Sequence, residues 1–467
     1  VKWEGNFIWI FPKNRLKILK SLSKKLPGSF REMSRKLERF FQAKSVVIIG
    51  FSPSPKNLSR NIIANMRRWG YQGRIYGISP YEGENDGVRI YTSLEQLPEK
   101  PEVALIFTRA ELVPELLLDC ARNQIQHIVI SSAGFEETGT EKGLELAGQI
   151  KAIAEEKELY IIGPNCIGTS NTQNGLCLSF MPLDPPPAGK IAFLSQSGGV
   201  GTSMATLMRV EAFPLGKFVS LGNKTILDEV DFLRYFMEDD ETEVICFFLE
   251  DFKRAREFLK IARAGKKPVI LLKAGSTPYG AEMARSHTGA LAGDELIIKG
   301  ACQQAGIIWT ESLAGLIYLA KAFQMPAMRG NRLLVASPSG GLSVILSDLA
   351  WRFGFELPHL PKDIAKKYSQ QRRAGIIELK NPLDFGDLYS AEVQRNLIRE
   401  ILLREDFDGA VMAYIYRDPE VLKLYPTLTQ LQRDLILELN ETIEPVSYTH
   451  LRAHETSLHL VCRLLLE

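Results

Sequence analysis

From Ser45 onward, short apolar runs alternate with longer amphipathic stretches. SVVIIG (45–50), RIYGI (74–78), EVALIFT (102–108), HIVIS (127–131) and LYIIG (159–163) each read as strands, with helical segments between them, the first at about 58–69. The runs are continuously apolar rather than alternating, so the strands are covered on both faces. That pattern predicts a parallel sheet flanked by helices, a Rossmann-like domain over about 44–180. MPLDPPPAG (181–189) is a proline-rich stop and predicts an interdomain linker. A second series follows: KIAFLS (190–195), KFVSL (217–221), EVICFFLE (243–250) and KPVILLK (267–273), running to about 325. After MPAMRGN (325–331), a third series begins with RLLVASPSGG (332–341) and includes GAVMAYIY (409–416). This third domain, 331–445, reads as incomplete.

The chain has 467 residues, 45% hydrophobic and 24% charged, which fits three globular domains that can each bury a core. A formal net charge of +2 gives no pull toward nucleic acid or membrane. Six cysteines, at 120, 166, 177, 246, 302 and 462, form no CxxC pair. Neither a disulfide framework nor a zinc site is indicated, no metal ligands are assigned, and a reducing, cytoplasmic setting fits. Residues 1–43 are basic, with eleven Lys or Arg against three Glu. FIWIF (7–11) is too short to span a bilayer, so this extension reads as a helix docked on the surface; a contact with a membrane surface is the alternative. The final stretch, 446–467, reads as a non-native, adapter-derived tail. It holds His450, His454 and His459, and the i, i+4 spacing of the first two is discounted on that ground.

Four loops carry candidate chemistry. GFSPSPKNLSRN (50–61) follows the first strand, where phosphates meet a helix N-terminus. It lacks GxGxxG and offers Gly50, Ser52 and Lys56 instead, while Ser79 and Pro80 stand after strand two where a nicotinamide enzyme wants an acid. A nucleotide-phosphate site that does not favour NAD fits, with a plain Ser/Pro-rich turn as the bland alternative. SQSGGVGT (195–202) places Ser197, Gly198 and Gly199 at a strand-to-helix junction, where backbone N–H groups and a helix dipole worth typically ~0.3–1 kcal/mol favour an anion. A turn that is glycine-rich only for close packing is the alternative. GPNCIG (163–168) makes a tight turn with Asn165 and Cys166; with no histidine nearby in sequence, Cys166 reads as a small apolar filler.

The fourth, ARSHTGALAG (284–293), holds His287 among small residues in the loop that begins after KPVILLK. Glu250 ends EVICFFLE in the same series, and SQSGG follows another of its strands. Ligands of open α/β sheets gather at the carboxyl ends of strands, so these three are expected at one sheet edge. A histidine, a carboxylate that orients one ring nitrogen, and a helix N-terminus that holds an anion suit a histidine that attacks phosphorus. A surface histidine and a solvated strand-end glutamate remain the alternatives.

Taken in order, GPNCIG, SQSGGVGT, FVSLGNKTILDEVDFL (218–233), KPVILLKAGST (267–277) and SHTGALAG (286–293) resemble the alpha subunit, or amino-terminal part, of the NDP-forming acyl-CoA synthetases. That family includes ADP-forming acetate–CoA ligase and is related to succinyl-CoA synthetase; the resemblance covers about 44–445. It implies an α/β architecture: a Rossmann-like CoA-binding domain followed by two flavodoxin-like, succinyl-CoA synthetase-like domains. It implies that acyl-CoA and phosphate give an acyl phosphate, whose phosphoryl group passes to His287 and then to ADP. Glu250 matches the orienting carboxylate, and Ser197, Gly198 and Gly199 the phosphate cradle. Gly50, Ser52, Lys56, Ser79 and Pro80 match the CoA loops, and Asn165 and Cys166 the acyl and phosphate-site loop. Nucleotide and Mg²⁺ bind on an ATP-grasp domain or beta subunit in such proteins. Nothing here resembles one, so the chain is expected to be a truncated piece of a multimer that does not complete the reaction alone.

The chain departs from the family pattern at Phe51 and Ser59 in the first loop, at Thr108-Arg109, and in ASPSGGLS near 336–343. Two rival readings keep the folds without turnover: a CoA- or nucleotide-sensing module, and the ligase-like part of a protein acetyltransferase. Retention of His287 within SHTG disfavours both.

Overall fold

The computed structural model describes residues 28–413, apart from 53–56, 212, 276, 278, 281, 283–294, 325–329, 373–374, 376, 389 and 405, together with 460–463. The chain divides into two compact units, one over Leu26–Phe323 and a second from Gln324 onward.

The first unit contains two sheets. One has the order β3-β4-β2-β1-β5-β6-β7, built from β1 (Ser45–Ile49), β2 (Arg74–Ile78), β3 (Gly83–Asn85), β4 (Val88–Tyr91), β5 (Val103–Ile106), β6 (His127–Ile130) and β7 (Tyr160–Ile162). All neighbours pair in parallel except the β3–β4 hairpin. Every residue of β1 is buried, the signature of a strand with helices on both faces.

The second sheet has the order β13-β12-β11-β9-β10-β8. Its parallel strands are β9 (Ala188–Ser195), β10 (Leu215–Ser220), β11 (Val244–Leu249), β12 (Val269–Lys273) and β13 (Ile308–Thr310). The strand β8 (Thr169–Asn171) pairs antiparallel with β10. It comes from the chain segment assigned above to the first domain. One hydrophobic cluster runs through both sheets, from Val46 and Ile48 to Ile245 and Phe247.

The proline-rich stretch at 181–189 is fastened rather than free. The Asn65 side chain, on α2 (Ser59–Trp69), donates to the carbonyls of Ser179 and Met181 at 2.8 and 2.7 Å and accepts the Leu183 N–H at 2.9 Å. Trp69 Nε1 donates to the Leu183 carbonyl at 3.0 Å. This segment is a strap across α2, and the two sheets share a core instead of being hinged at a linker.

The amino-terminal extension also differs from a surface-docked helix where it is described. In α1 (Gly28–Gln42), Leu37, Phe40 and Phe41 are fully buried. Phe41 stacks on Tyr235 with ring centroids 5.2 Å apart. The Phe40 carbonyl accepts from Thr169 Oγ1, and the Phe41 carbonyl from the Asn171 and Asn174 side chains, so the helix end is capped from β8 and its turn. Arg35 and Arg39 on the same helix are exposed. FIWIF lies outside the described residues.

In the second unit, β14 (Leu333–Ser337) pairs in parallel with β15 (Leu383–Asp384) and β16 (Gly409–Ala413), and β16 pairs antiparallel with β17 (Leu460–Arg463), part of the stretch set aside above as non-native. His450, His454 and His459 lie outside the described residues. No helix among the described residues is long and apolar enough to cross a membrane.

Candidate active site

The carboxyl ends of β9 and β11 are adjacent because the two strands pair in register up to Phe248↔Ser195. Beyond β9 the chain turns at Gln196 and Ser197 into α5 (Gly198–Val210). Ser197 is the N-cap, its Oγ accepting the Val200 N–H at 3.3 Å. The glycines that follow differ in purpose. A Cβ on Gly201 would lie 2.9 Å from Phe218 Cζ, and one on Gly198 would lie 3.0 Å from Ile167 Cγ2, so both serve packing. A Cβ on Gly199 would meet only Ser197 Oγ, at 3.9 Å, so its backbone faces open space.

Beyond β11, Glu250 and Asp251 begin a turn. The Gln196 side-chain oxygen accepts the Glu250 N–H at 2.9 Å and the Asp251 N–H at 3.2 Å. Lys273 Nζ, at the end of β12, donates to the Glu250 carbonyl at 2.6 Å. Burial pushes the Lys273 pKa down, opposed by the carboxylates of Asp251 and Glu250. Burial would raise the Asp251 pKa, but the Lys224 ammonium and the hydrogen bonds from Lys224 and Gln196 outweigh it and hold the carboxyl below its ordinary value.

Lys224 itself is fully buried, bridging Glu229 Oε2 at 3.0 Å and Asp251 Oδ1 at 2.7 Å. Such a pair is costly to break, because each ion removed leaves another uncompensated.

The turn after β7 forms the opposite wall. Asn165 takes a left-handed conformation, φ 59°, and its side chain donates to Asn223 Oδ1 at 3.3 Å. Asn223 in turn donates to Glu137 Oε2 at 2.6 Å. The Cys166 thiol donates to the Ile130 carbonyl, and burial pushes its pKa up to about 12, so it is held as a neutral thiol.

These walls enclose a cleft of about 760 Å³. Its lining brings together Ser197, Gly198, Gly199, Glu250, Asn165 and Cys166, all six singled out from sequence. It also contains Gln196, Asp251, Lys253, Asn223, Glu136 and Glu137, which sequence reasoning missed. Gln196 and Asn223 stood inside quoted motifs, and Asp251 adjoins Glu250, but no spacing rule marks an amide that bonds across two strands. His287 lies outside the described residues. Its loop leaves β12, the neighbour of β11 in the sheet.

The first-loop residues do not line this cleft. Gly50 and Phe51, past the end of β1, both donate N–H groups to the Ile78 carbonyl at the end of β2, at 3.0 and 3.1 Å. Gly50 has φ +91°, and a Cβ there would lie 2.3 Å from the Phe107 carbonyl oxygen, so glycine is compulsory for packing alone. Phe51 turns inward, is 1% exposed and packs on Gly77. The Ser52 N–H donates to Ser59 Oγ at 3.2 Å, Ser79 is buried with its N–H on the Tyr91 carbonyl, and Pro80 is exposed. Gly50, Ser52, Ser79 and Pro80 therefore share the β1–β2 edge, while Lys56 lies outside the described residues.

Fold and site together define the class. A model of a CoA-binding domain matches residues 44–172, and a model of the succinyl-CoA ligase-like flavodoxin domain matches 188–323. The chain is 32% identical over 351 residues to the alpha subunit of acetate–CoA ligase [ADP-forming] II from Pyrococcus furiosus, covering 74% of this chain and 76% of that one. It is 35% identical over 364 residues to acetate–CoA ligase [ADP-forming] I from Archaeoglobus fulgidus, covering 77% of this chain but 52% of that relative. Among solved structures, the dinucleotide-forming acetyl-coenzyme A synthetase 1 of Ca. Korarchaeum cryptofilum, in complex with phosphate and ADP, superposes with a TM-score of 0.73 at 28% identity, covering 85% of this chain and 86% of that one. The chain belongs to the ADP-forming acetate–CoA ligase family of acyl-CoA synthetases. It spans about half the length of the Archaeoglobus fulgidus relative.

Proposed function

We propose that this chain is the CoA-binding and phosphoryl-carrying part of an NDP-forming acyl-CoA synthetase. The reversible overall reaction is acyl-CoA plus phosphate plus ADP to carboxylic acid plus CoA plus ATP. Phosphate attacks the thioester carbonyl carbon, the C–S bond breaks, and CoA leaves with a proton as the acyl phosphate forms. An imidazole nitrogen of His287 then attacks phosphorus, and the P–O bond to the acyl oxygen breaks to release the carboxylate. The phosphorylated His287 passes its group to ADP.

The observation that carries this reading is the single cleft holding an open helix N-terminus at Ser197–Gly199 beside the strand end of Glu250. The first supplies N–H groups and a positive dipole end for a phosphate. The second supplies a carboxylate that fixes one imidazole nitrogen and stabilises the cation formed at phosphorylation. Lys253 adds a cation to the lining, and Asn165 and Cys166 border the acyl and phosphate path. CoA would lie along the β1–β2 edge at Gly50, Ser52, Ser79 and Pro80, and Lys56 follows in the same loop in sequence.

Mg²⁺ would come with the nucleotide on an ATP-grasp domain or beta subunit. Cys120, Cys166, Cys177, Cys246 and Cys302 are free and buried, which fits a reducing cytoplasm.

The test is phosphoryl transfer from γ-labelled ATP to this chain, with Mg²⁺ and an active ATP-grasp partner. Acid-labile, base-stable label on the wild type and none on His287→Asn is expected. Equal label on both removes His287 from the mechanism.

A further inference from the structure

We infer that Gln196 is a positioning residue: its side-chain amide sets the strand end carrying Glu250 against the helix start at Ser197, and the buried Lys224–Asp251 pair sets the amide. The inference rests on the reading of this cleft as a phosphoryl-transfer site.

The β9–β11 ladder stops at Phe248↔Ser195, one residue short of Gln196 and two short of Glu250. From there a side chain continues the work of the ladder. Gln196 is 6% exposed. Its backbone N–H donates to the Phe248 carbonyl at 3.0 Å, its Oε1 accepts the N–H groups of Glu250 and Asp251, and its Nε2 donates to Asp251 Oδ1 at 2.7 Å.

That pattern admits one amide orientation: oxygen toward two donors, nitrogen toward a carboxylate. The carboxylate is itself fixed. Asp251 Oδ1 meets Lys224 Nζ at 2.7 Å, and the Asp251 carbonyl accepts from the same Nζ at 3.0 Å. Lys224 is held in turn by Glu229, whose Oε1 accepts the N–H groups of Lys253 and Arg254 at 2.7 and 3.2 Å. A fully buried ion thus determines, through one carboxylate and one amide, where the backbone of Glu250 sits relative to the residue next to Gln196, the N-cap Ser197. Phosphoryl transfer needs both ends placed to within a fraction of an ångström, and groups that orient reacting residues are worth far more in rate than in stability.

Gln196→Glu separates the two. It keeps shape and the acceptor for both N–H groups, but turns the donor facing Asp251 into a second carboxylate. Single-turnover labelling from γ-labelled ATP is expected to slow by roughly 10–100-fold, with CoA affinity unchanged. The rate should recover as pH falls, when one of the two carboxyls takes a proton and donates again. Gln196→Met, apolar and of similar length, should slow labelling without the pH recovery.

Wild-type rates in Gln196→Glu and Gln196→Met overturn the inference while leaving the phosphohistidine reading intact. So does a slowdown in Gln196→Glu that low pH does not relieve. Absence of label on the wild type itself, beside a partner proven active, overturns the phosphoryl-transfer reading and this inference with it.

Discussion

The two sheets of the Leu26–Phe323 unit end in glycine-containing βα turns that look alike in sequence and differ in structure. At Gly50 the backbone is left-handed and pressed against the Phe107 carbonyl, so the glycine answers a packing demand. At Gly199 nothing crowds the missing side chain, and the backbone faces a cleft that also holds Glu250. A glycine next to a helix N-terminus is ambiguous until one asks what a Cβ would touch.

The sharpest break in this comparison is on the cleft side. Glu250→Gln is expected to slow labelling of the chain by roughly 10²-fold, because the amide cannot stabilise an imidazolium. Its melting midpoint should stay near the wild type, and a rate within twofold of wild type would remove Glu250 from the site.

Next in size, Gly50→Ala should cost about 2–3 kcal/mol of stability, since it combines a left-handed backbone with a backbone clash. Denaturant titration checks this; a loss below about 0.5 kcal/mol would mean the turn relaxes freely.

The first sheet also carries a pH dependence of its own. His127 is buried against Phe40 and Tyr160, and burial lowers its pKa to about 4. The unfolded chain, with an ordinary value near 6.5, takes the proton first as pH falls. The contribution is therefore complete above about pH 6.5 and is lost progressively toward pH 4, amounting to about 3 kcal/mol. Urea midpoints at pH 7.5 and 4.5 should differ more for the wild type than for His127→Phe.

The smallest effect falls on Gly199→Ala. Stability should change by no more than about 0.5 kcal/mol, because the added methyl meets open space, while labelling slows as the methyl enters the path of the phosphate. Unchanged labelling would place the anion elsewhere.

Much of this was legible in the chain itself. Continuous apolar runs such as SVVII and VICFFL locate strands because burial on both faces leaves no room for polar residues. Parallel connectivity then puts Glu250 and Ser197 at one edge. Features that depend on long-range pairing left no such trace. Thr169–Asn171 contains no apolar residue, yet it is fully enclosed as β8 because its hydroxyl and amide cap α1. The strap at 181–189 depends on one buried amide, Asn65, more than a hundred residues away in sequence. Gln196 was visible within SQSGG, but its role depends on Lys224 and Asp251 arriving from two other loops.

If His287 carries the phosphoryl group as proposed, the phosphorylated chain passes it to a carboxylic acid and, with CoA, releases inorganic phosphate. This can be tested by labelling the chain, removing partner and nucleotide, and adding CoA with a panel of short, branched and aryl carboxylic acids. At least one acid, only with CoA present, is expected to release the label as inorganic phosphate with one equivalent of acyl-CoA. Label that stays on the chain with every acid, or leaves at the same rate without CoA, would contradict it.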